Sequence, residues 1–193
     1  MKNINRLLIG LVTILASNFA NASLINVSEI RISSAVNNWL QVSEFVAWST
    51  NTDLALSSAG ATASASDFYL GANSCNSNSS DASCAIDGVA YVDYPNIFHG
   101  DNVGGFNTVL TIMLAAPSTI DWIEVFGRNG CCQGRDVYDI SFFDAAGRMI
   151  FSLANIQGAT IQAPNRVEVS EPSIFALLGL GLLALGVRRK LQR

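Results

Sequence analysis

The sequence predicts an all-β domain of the antiparallel sandwich class, placed between two short hydrophobic segments at the chain ends. Three observations support this prediction. Stretches rich in β-branched and aromatic residues alternate with polar turns, no segment between the ends has sustained helical periodicity, and each end combines an apolar run with basic residues. We therefore divide the chain into residues 1–22, 23–169 and 170–193.

Residues 1–22 have the three parts of a secretory signal peptide. Lys2 and Arg6 make the start basic, residues 7–16 form an apolar run, and Ala20-Asn21-Ala22 is a small-residue cleavage site. We expect a helical signal peptide that is removed after Ala22 and exports the chain through the inner membrane.

The predicted strands of the domain share a content of β-branched and aromatic residues. They are residues 24–32, 39–46, 109–114, 120–126, 137–143, 149–153 and 160–169. Residues 144–147, Asp-Ala-Ala-Gly, predict a hairpin turn between two of them. The small-residue stretch 57–66 fits either a strand or a loop.

The charge of the domain argues against two classes of partner. Residues 23–169 hold fourteen of the fifteen acidic residues of the chain, five arginines and no lysine. Nucleic acids and anionic membrane surfaces both require a basic surface. We therefore expect no nucleic-acid partner, and contact with a membrane only through the tail.

The four cysteines, Cys75, Cys84, Cys131 and Cys132, predict disulfides because an exported domain folds in an oxidising compartment. A bond between Cys75 and Cys84 would close a polar loop. The adjacent pair Cys131-Cys132 permits either one bond within the pair or two separate bridges. Zinc is disfavoured because no histidine lies at finger-like spacing.

The densest group of candidate site residues is the loop 127–135, between two predicted strands. Arg128 and Arg135 flank the Cys131-Cys132 pair, and their guanidinium groups suit hydroxyl or carboxylate oxygens of a ligand. The alternative is that both arginines form ion pairs with acidic residues nearby, such as Asp136 or Asp139.

The residue pattern predicts no catalytic machinery. His99 is the only histidine, and neither a nucleophile motif nor a marked carboxylate pair accompanies it. We therefore expect a protein that is not an enzyme.

The dipeptide Asp87-Gly88 is typical of a turn, which is its main interpretation. With Asp81, Asp93 and backbone carbonyl oxygens, Asp87 is also a candidate ligand for a structural Ca²⁺.

The tail, residues 170–193, combines a short motif, an apolar run and a basic end. Residues 174–187 form an apolar run of fourteen residues, short of the roughly 20 that a spanning helix needs. Before this run lie Glu171, Pro172 and Ser173, within it lies the Leu/Gly-rich segment 177–186, and after it lies the cluster Arg188, Arg189 and Lys190. These pieces resemble the PEP-CTERM sorting signal of Gram-negative bacteria, although Ser170 stands where that signal usually has its first proline.

The resemblance to the PEP-CTERM signal implies a route through the cell. It implies a C-terminal hydrophobic helix that anchors the chain transiently in the membrane and an exosortase-type enzyme that processes it. It also implies a final place at the cell surface or in an extracellular matrix rich in exopolysaccharide.

The domain contains, in this order, Ala85-Ile86-Asp87-Gly88, His99, Arg128, Cys131-Cys132 and Arg135. With these pieces it resembles the galactose-binding-like jelly roll, in particular the discoidin (F5/8 type C) and F-type lectin branch. The resemblance implies that His99 and the two arginines hydrogen-bond a sugar, that the disulfide Cys131–Cys132 packs against it, and that Asp87 holds Ca²⁺. Residues 39–44 resemble the last strand of the family, which implies a permuted order. Gly130 stands where the family motif usually has aspartate.

The function expected from these features is that of an exported carbohydrate-binding module whose partner is a glycan or exopolysaccharide. The alternative is a non-catalytic structural protein of a biofilm matrix that uses the same scaffold for protein contacts.

Overall fold

The structure, a computed structural model, describes residues 23–69, 81–101, 107–160 and 166–169. Residues Ser23–Val169 form one compact unit. The regular structure of the described residues is β-strand, apart from three short 3₁₀ helices at Ser57–Ala59, Ala82–Ile86 and Gln133–Arg135. The all-β class is therefore confirmed. The helices expected in residues 1–22 and 170–193 lie outside the described residues.

The larger sheet has five antiparallel strands. They are β1 (Leu24–Ser34), β5 (Thr62–Ala65), β7 (Leu110–Ile120), β9 (Val137–Phe143) and β10 (Met149–Gln157), in the order β10-β9-β1-β7-β5. The central strand β1 pairs with β7 on one side and with β9 on the other.

The smaller sheet has four antiparallel strands in the order β11-β8-β3-β4. They are β3 (Glu44–Ser49), β4 (Thr52–Asp53), β8 (Trp122–Phe126) and β11 (Val167–Glu168). A separate ribbon pairs β2 (Gln41–Val42) with β6 (Phe98–His99). This ribbon carries the predicted site residue His99.

One hydrophobic core joins the two sheets. Ile30, Phe142 and Ile112 from the larger sheet and Phe45 and Ile123 from the smaller sheet are fully buried in a single cluster. Alternate residues of β3, β8 and β9 point into this cluster, as the two-residue period of a strand requires. Each such side chain contributes about 1.5–3 kcal/mol to folding.

Two predicted strands differ from the observed ones. The predicted strand 39–46 is divided at Ser43, whose backbone N–H and hydroxyl both donate to the carbonyl of Phe126, at 2.7 and 3.2 Å. The predicted strand 109–114 continues as β7 to Ile120, through Pro117. The pairing of β7 with β1 shifts register between Met113 and Ser118, and an irregular pairing tolerates a proline because the ladder needs no N–H there.

Two further segments match their predicted secondary structure only in part. Of the predicted strand 160–169, Val167–Glu168 is strand, while residues 161–165 lie outside the described residues. The stretch 57–66 begins as the 3₁₀ helix Ser57–Ala59 and ends as β5. Both interpretations of that stretch therefore apply to a part of it.

Candidate functional site

The loop between β8 and β9 holds most of the predicted site residues. Cys131 and Cys132 are bonded to each other, which is the first of the two alternatives for this pair. Gly130 and Cys132 have φ angles of 78° and 66°, in the left-handed region, and a 3₁₀ turn over Gln133–Arg135 follows. These turns bring the chain back to β9 within a few residues.

The buried residue Asp136 holds this loop in place. Its side chain is buried, and its carboxylate accepts a hydrogen bond from the backbone N–H of Arg128. Its backbone carbonyl accepts from the N–H of Gly158 at 2.7 Å. A Cβ at Gly127 would lie 2.0 Å from the Asp136 Cγ, so glycine is required there. Burial raises the pKa of Asp136 to about 6.

The loop also contacts the segment before β6. The backbone N–H of Asn129 donates to the Val92 carbonyl at 3.0 Å, and its side-chain amide donates to the Tyr91 carbonyl at 2.9 Å. Arg128 Nε donates to Asp93 Oδ1 in a short ion pair. These contacts hold Arg128 and Asn129 against residues 91–93, the segment before β6.

His99 lies among three aromatic rings. Its ring centroid is 5.8 Å from that of Trp39, 5.2 Å from that of Tyr69 and 6.1 Å from that of Tyr94. His99 Nδ1 donates to the Gly100 carbonyl at 2.7 Å, which leaves Nε2 as the acceptor nitrogen of the neutral ring. Burial, together with the charges of Arg128 and Arg135, lowers the pKa of His99.

The two arginines extend over the outer rings of this group. The Arg128 Cζ lies 5.4 Å from the centroid of Tyr94, and the Arg135 Cζ lies 4.7 Å from the centroid of Trp39. The ion-pair alternative named Asp136 and Asp139 as partners. The structure gives Arg128 a different acidic partner, because its side chain pairs with Asp93 while its backbone N–H donates to Asp136.

The structure therefore brings His99, Arg128 and Arg135 together, with Cys131 and Cys132 in the same loop. We call the six residues His99, Arg128, Arg135, Trp39, Tyr69 and Tyr94 the His99 cluster. Sequence analysis missed its three aromatic residues and Asp93. The sequence contained one sign of them: Tyr91 and Tyr94 lie shortly before His99, and Trp39 begins a predicted strand.

Asp87 lies beside the buried carboxyl of Glu44. Its carboxylate accepts from the N–H of Val89 at 2.8 Å, as the turn interpretation predicts. Glu44, 2% exposed, accepts from the N–H of Gly88 at 3.1 Å and shares a hydrogen bond with the carboxyl of Asp87. Burial, and next the charge of Asp87, raises the pKa of Glu44 to about 8, and burial raises the pKa of Asp87.

The predicted Ca²⁺ ligands do not all come together. Asp93 pairs with Arg128, and Asp81 accepts from the N–H of Ser83 at 3.3 Å at the start of a 3₁₀ helix. Within the described ranges, no three His, Cys, Asp or Glu side chains form a group that could hold a metal ion. The carboxyl that does reach Asp87 is that of Glu44.

The remaining predictions fall partly outside the described residues. Cys84 is disulfide-bonded, and Cys75 lies outside the described residues. The same holds for the tail residues Glu171, Pro172, Ser173, Arg188 and Arg189. In the described part of the chain, no helix is long and apolar enough to cross a membrane.

Comparison with known protein families finds one match. Residues 168–190 match the PEP-CTERM protein-sorting motif, which confirms the expected tail signal and starts two residues earlier than the predicted boundary. The motif indicates an exported protein that an exosortase sorts and that its tail anchors in the membrane. No curated protein and no solved structure matches the chain.

Proposed function

We propose that the domain is a carbohydrate-binding module displayed at the cell surface or in the extracellular matrix, and that the His99 cluster holds a sugar residue. The observation that supports this most is the arrangement around His99, where three aromatic rings and two guanidinium groups meet. The proposed role is binding rather than catalysis.

The chemistry of the His99 cluster suits a hydroxyl-rich ligand. The faces of Tyr69 and Tyr94 offer apolar surface to the C–H groups of a pyranose ring, and Tyr69 is 41% exposed. Arg128 and Arg135 offer several N–H donors in fixed planes to hydroxyl oxygens. The disulfide Cys131–Cys132 adds half-buried apolar surface beside them.

A glycan array tests this proposal. The full chain would be exported so that its disulfides form, purified in a mild detergent and screened as the wild type and as Arg128→Ala and Arg135→Ala. We expect the wild type to bind and each variant to weaken binding by about tenfold or more, since a charge-assisted hydrogen bond contributes about 1.5–3 kcal/mol. Arg148→Ala is the matched control, because Arg148 is 80% exposed and pairs with Asp144 on the β9–β10 hairpin.

If the folded wild type binds no glycan on the array, the proposal is contradicted. The alternative of a structural matrix protein would then take its place, and it predicts self-association that Arg128→Ala leaves intact.

We also propose that Asp87 and Glu44 hold a structural Ca²⁺. Their oxygens suit a hard cation, and Glu44 Oε1 is a buried atom with no hydrogen-bond partner among the described residues. Backbone carbonyls or water would complete the coordination shell.

Thermal unfolding in excess Ca²⁺ and in chelator tests the proposed Ca²⁺ site. Ca²⁺ should raise Tm by several degrees, as expected for a ligand that binds only the folded state. Glu44→Gln should remove the shift, and an unchanged wild-type Tm would contradict the proposal.

A further inference from the structure

The first and last residues of the unit 23–169 lie side by side. The backbone N–H of Leu24 donates to the carbonyl of Val169 at 3.2 Å, so the start of β1 lies beside the residue that follows β11. The N–H of Val169 donates in turn to the carbonyl of Asp121 at 3.0 Å, and its side chain is buried in the core. Asp121 therefore lies where the unit begins and ends.

The carboxylate of Asp121 also binds the first residue of the unit. Its Oδ1 accepts a hydrogen bond from Ser23 Oγ, and its Oδ2 accepts from the backbone N–H of Thr50 at 2.6 Å. The bond from Ser23, and next that from Thr50, lowers the pKa of Asp121. Its own N–H donates to the carbonyl of Trp48 at 2.8 Å. Asp121 is thus an ionised group that several bonds hold in place.

Ser23 is also the residue that removal of the signal peptide would expose. The sequence predicts cleavage after Ala22, and the sorting motif at the other end of the chain indicates export. Hydrolysis of the Ala22–Ser23 bond consumes one water and leaves a carboxylate on the released peptide and an amine on Ser23. The pKa of an α-amine is about 8, so most of it is an ammonium at neutral pH. Cleavage therefore replaces an uncharged N–H by a cation with three donors.

The new ammonium forms within reach of the Asp121 carboxylate. The α-nitrogen of a serine lies within about 4 Å of its own Oγ in every staggered rotamer, and the Oγ of Ser23 already contacts Asp121 Oδ1. An exposed ion pair is usually weak because two flexible side chains must be ordered to form it. That cost is small here, since Asp121 is held by backbone bonds and Ser23 by the pairing of Leu24.

We propose that removal of the signal peptide completes an ion pair that ties the two ends of the domain together. The Ser23 ammonium binds the Asp121 carboxylate, and the Asp121 carbonyl holds Val169, so one residue fastens both ends. The precursor has a neutral peptide bond at this place and lacks the pair. The domain therefore reaches its full stability only after cleavage. This inference does not depend on the proposed sugar binding.

The lysine content of the chain allows a selective test of the ammonium. Lysine occurs only at positions 2 and 190, and position 2 is lost with the signal peptide. In a Lys190→Arg background, which keeps the basic charge of the tail, the α-amine of Ser23 is the only primary amine of the exported chain. Acetylation makes this amine neutral, whereas reductive methylation keeps its positive charge.

Thermal unfolding compares the exported chain in mild detergent before modification, after acetylation and after methylation, once sequencing has identified its first residue. Acetylation should lower Tm by about 2–4 °C, the shift that one such contact produces in a domain of this size, and methylation should lower it much less. The proposal is overturned by an unchanged Tm after acetylation, by equal losses after both modifications, or by a first residue other than Ser23.

Two variants in the same background assign the effect to Asp121. In Asp121→Asn, acetylation should leave Tm unchanged, because a neutral amide gives the ammonium no opposite charge. Glu29→Gln is the matched control: Glu29 lies further along β1 and pairs with Arg31, so acetylation should lower Tm as it does in the wild type. An equal loss in Asp121→Asn would show that the ammonium has a different partner and would overturn the proposal. Comparing the two modifications needs no variant at Asp121, so the charge is tested even if Asp121→Asn does not fold.

Discussion

At the scale of single residues, the loop that carries Arg128 and Arg135 depends on the close contact between Gly127 and Asp136. The Cβ of any other residue at position 127 would overlap the Asp136 carboxyl. Asp136 in turn bonds the N–H of Arg128, so the two residues set the starting point of the loop. Neither residue offers a group to the proposed sugar, yet both decide where the arginines lie.

Gly127→Ala should destabilise the domain by about 3 kcal/mol or more, the upper part of the range for overpacked sites. Urea unfolding measures the change. Gly134→Ala, in the same loop, is the control: a Cβ there meets nothing within 4 Å, so its free energy of unfolding should stay close to that of the wild type. Equal stability of the two variants would contradict the close contact.

Asp136 should also make the stability depend on pH. Its pKa is raised by burial from 3.8 to about 6 in the folded state, so folding favours the protonated carboxyl. The groups that face it are the hydroxyl of Tyr138 at 3.4 Å, the backbone N–H of Arg128 and the charge of Arg135. The free energy of unfolding should therefore fall as pH rises from about 4 to about 6, by at most roughly 3 kcal/mol.

Asp136→Asn should remove this part of the pH dependence. The measurement is urea unfolding of the wild type and the variant at about pH 4 and about pH 7, where the carboxyl is mostly protonated and mostly ionised in the folded state. The difference between the two proteins isolates Asp136 from other carboxyls such as Glu44. The same fall with pH in both proteins would contradict the assignment.

At the scale of elements, sequence periodicity predicted the strands that have one buried face. The strands β8 and β9 start within two residues of their predicted limits and end where expected, because Ile123, Val125, Ile140 and Phe142 alternate with more exposed residues. The continuation of β7 through Pro117 could not be predicted, since proline is a strand breaker unless the partner strand allows an irregular pairing.

The residues of the candidate site could be predicted only in part, because some of them meet only in the folded chain. His99, Arg128 and Arg135 stand out by residue type, so sequence analysis could name them. Trp39 and Tyr69 join them through tertiary contacts between segments far apart in the chain, which leave no periodic signal. Asp93 was assigned to Ca²⁺, and only the docking of the 128–130 segment shows that it pairs with Arg128.

The β9–β10 hairpin gives a prediction at this scale. Its turn is closed by the bond from Gly147 N–H to the Asp144 carbonyl at 2.9 Å, and Gly147 has a φ of 73°. Gly147→Ala should cost about 1 kcal/mol, because an L-residue with a Cβ is disfavoured in the left-handed region. Gly147→Asn should cost less, since asparagine tolerates that region. Thermal unfolding compares the two, and an alanine variant as stable as the wild type would contradict this account.

At the scale of the whole molecule, an acidic domain uses its few arginines in contacts with its own groups. Four of the five arginines of residues 23–169 lie over aromatic rings, and the fifth pairs with Asp144. The pairs are Arg31 with Phe143, Arg128 with Tyr94, Arg135 with Trp39 and Arg166 with Trp122. Two of these four, Arg128 and Arg135, border the proposed sugar site of the His99 cluster.

The sorting motif at residues 168–190 gives the prediction that concerns the whole chain. Basic residues beside an apolar run stay on the cytoplasmic side of a membrane, so Arg188 and Arg189 should hold Glu171-Pro172-Ser173 near the opposite side. In a host with an exosortase, the wild type should lose its tail and reach the surface. The double variant Arg188→Ala/Arg189→Ala should accumulate uncut.

Cell fractionation and the intact mass of the protein measure this outcome. Arg193→Ala is the matched control, because Arg193 is a basic residue of the tail that lies outside the matched motif. It should be processed as the wild type is. In a strain that lacks the exosortase, even the wild type should keep its tail. Cleavage that persists in that strain would show that a different enzyme removes the tail, and the motif would then act only as an anchor.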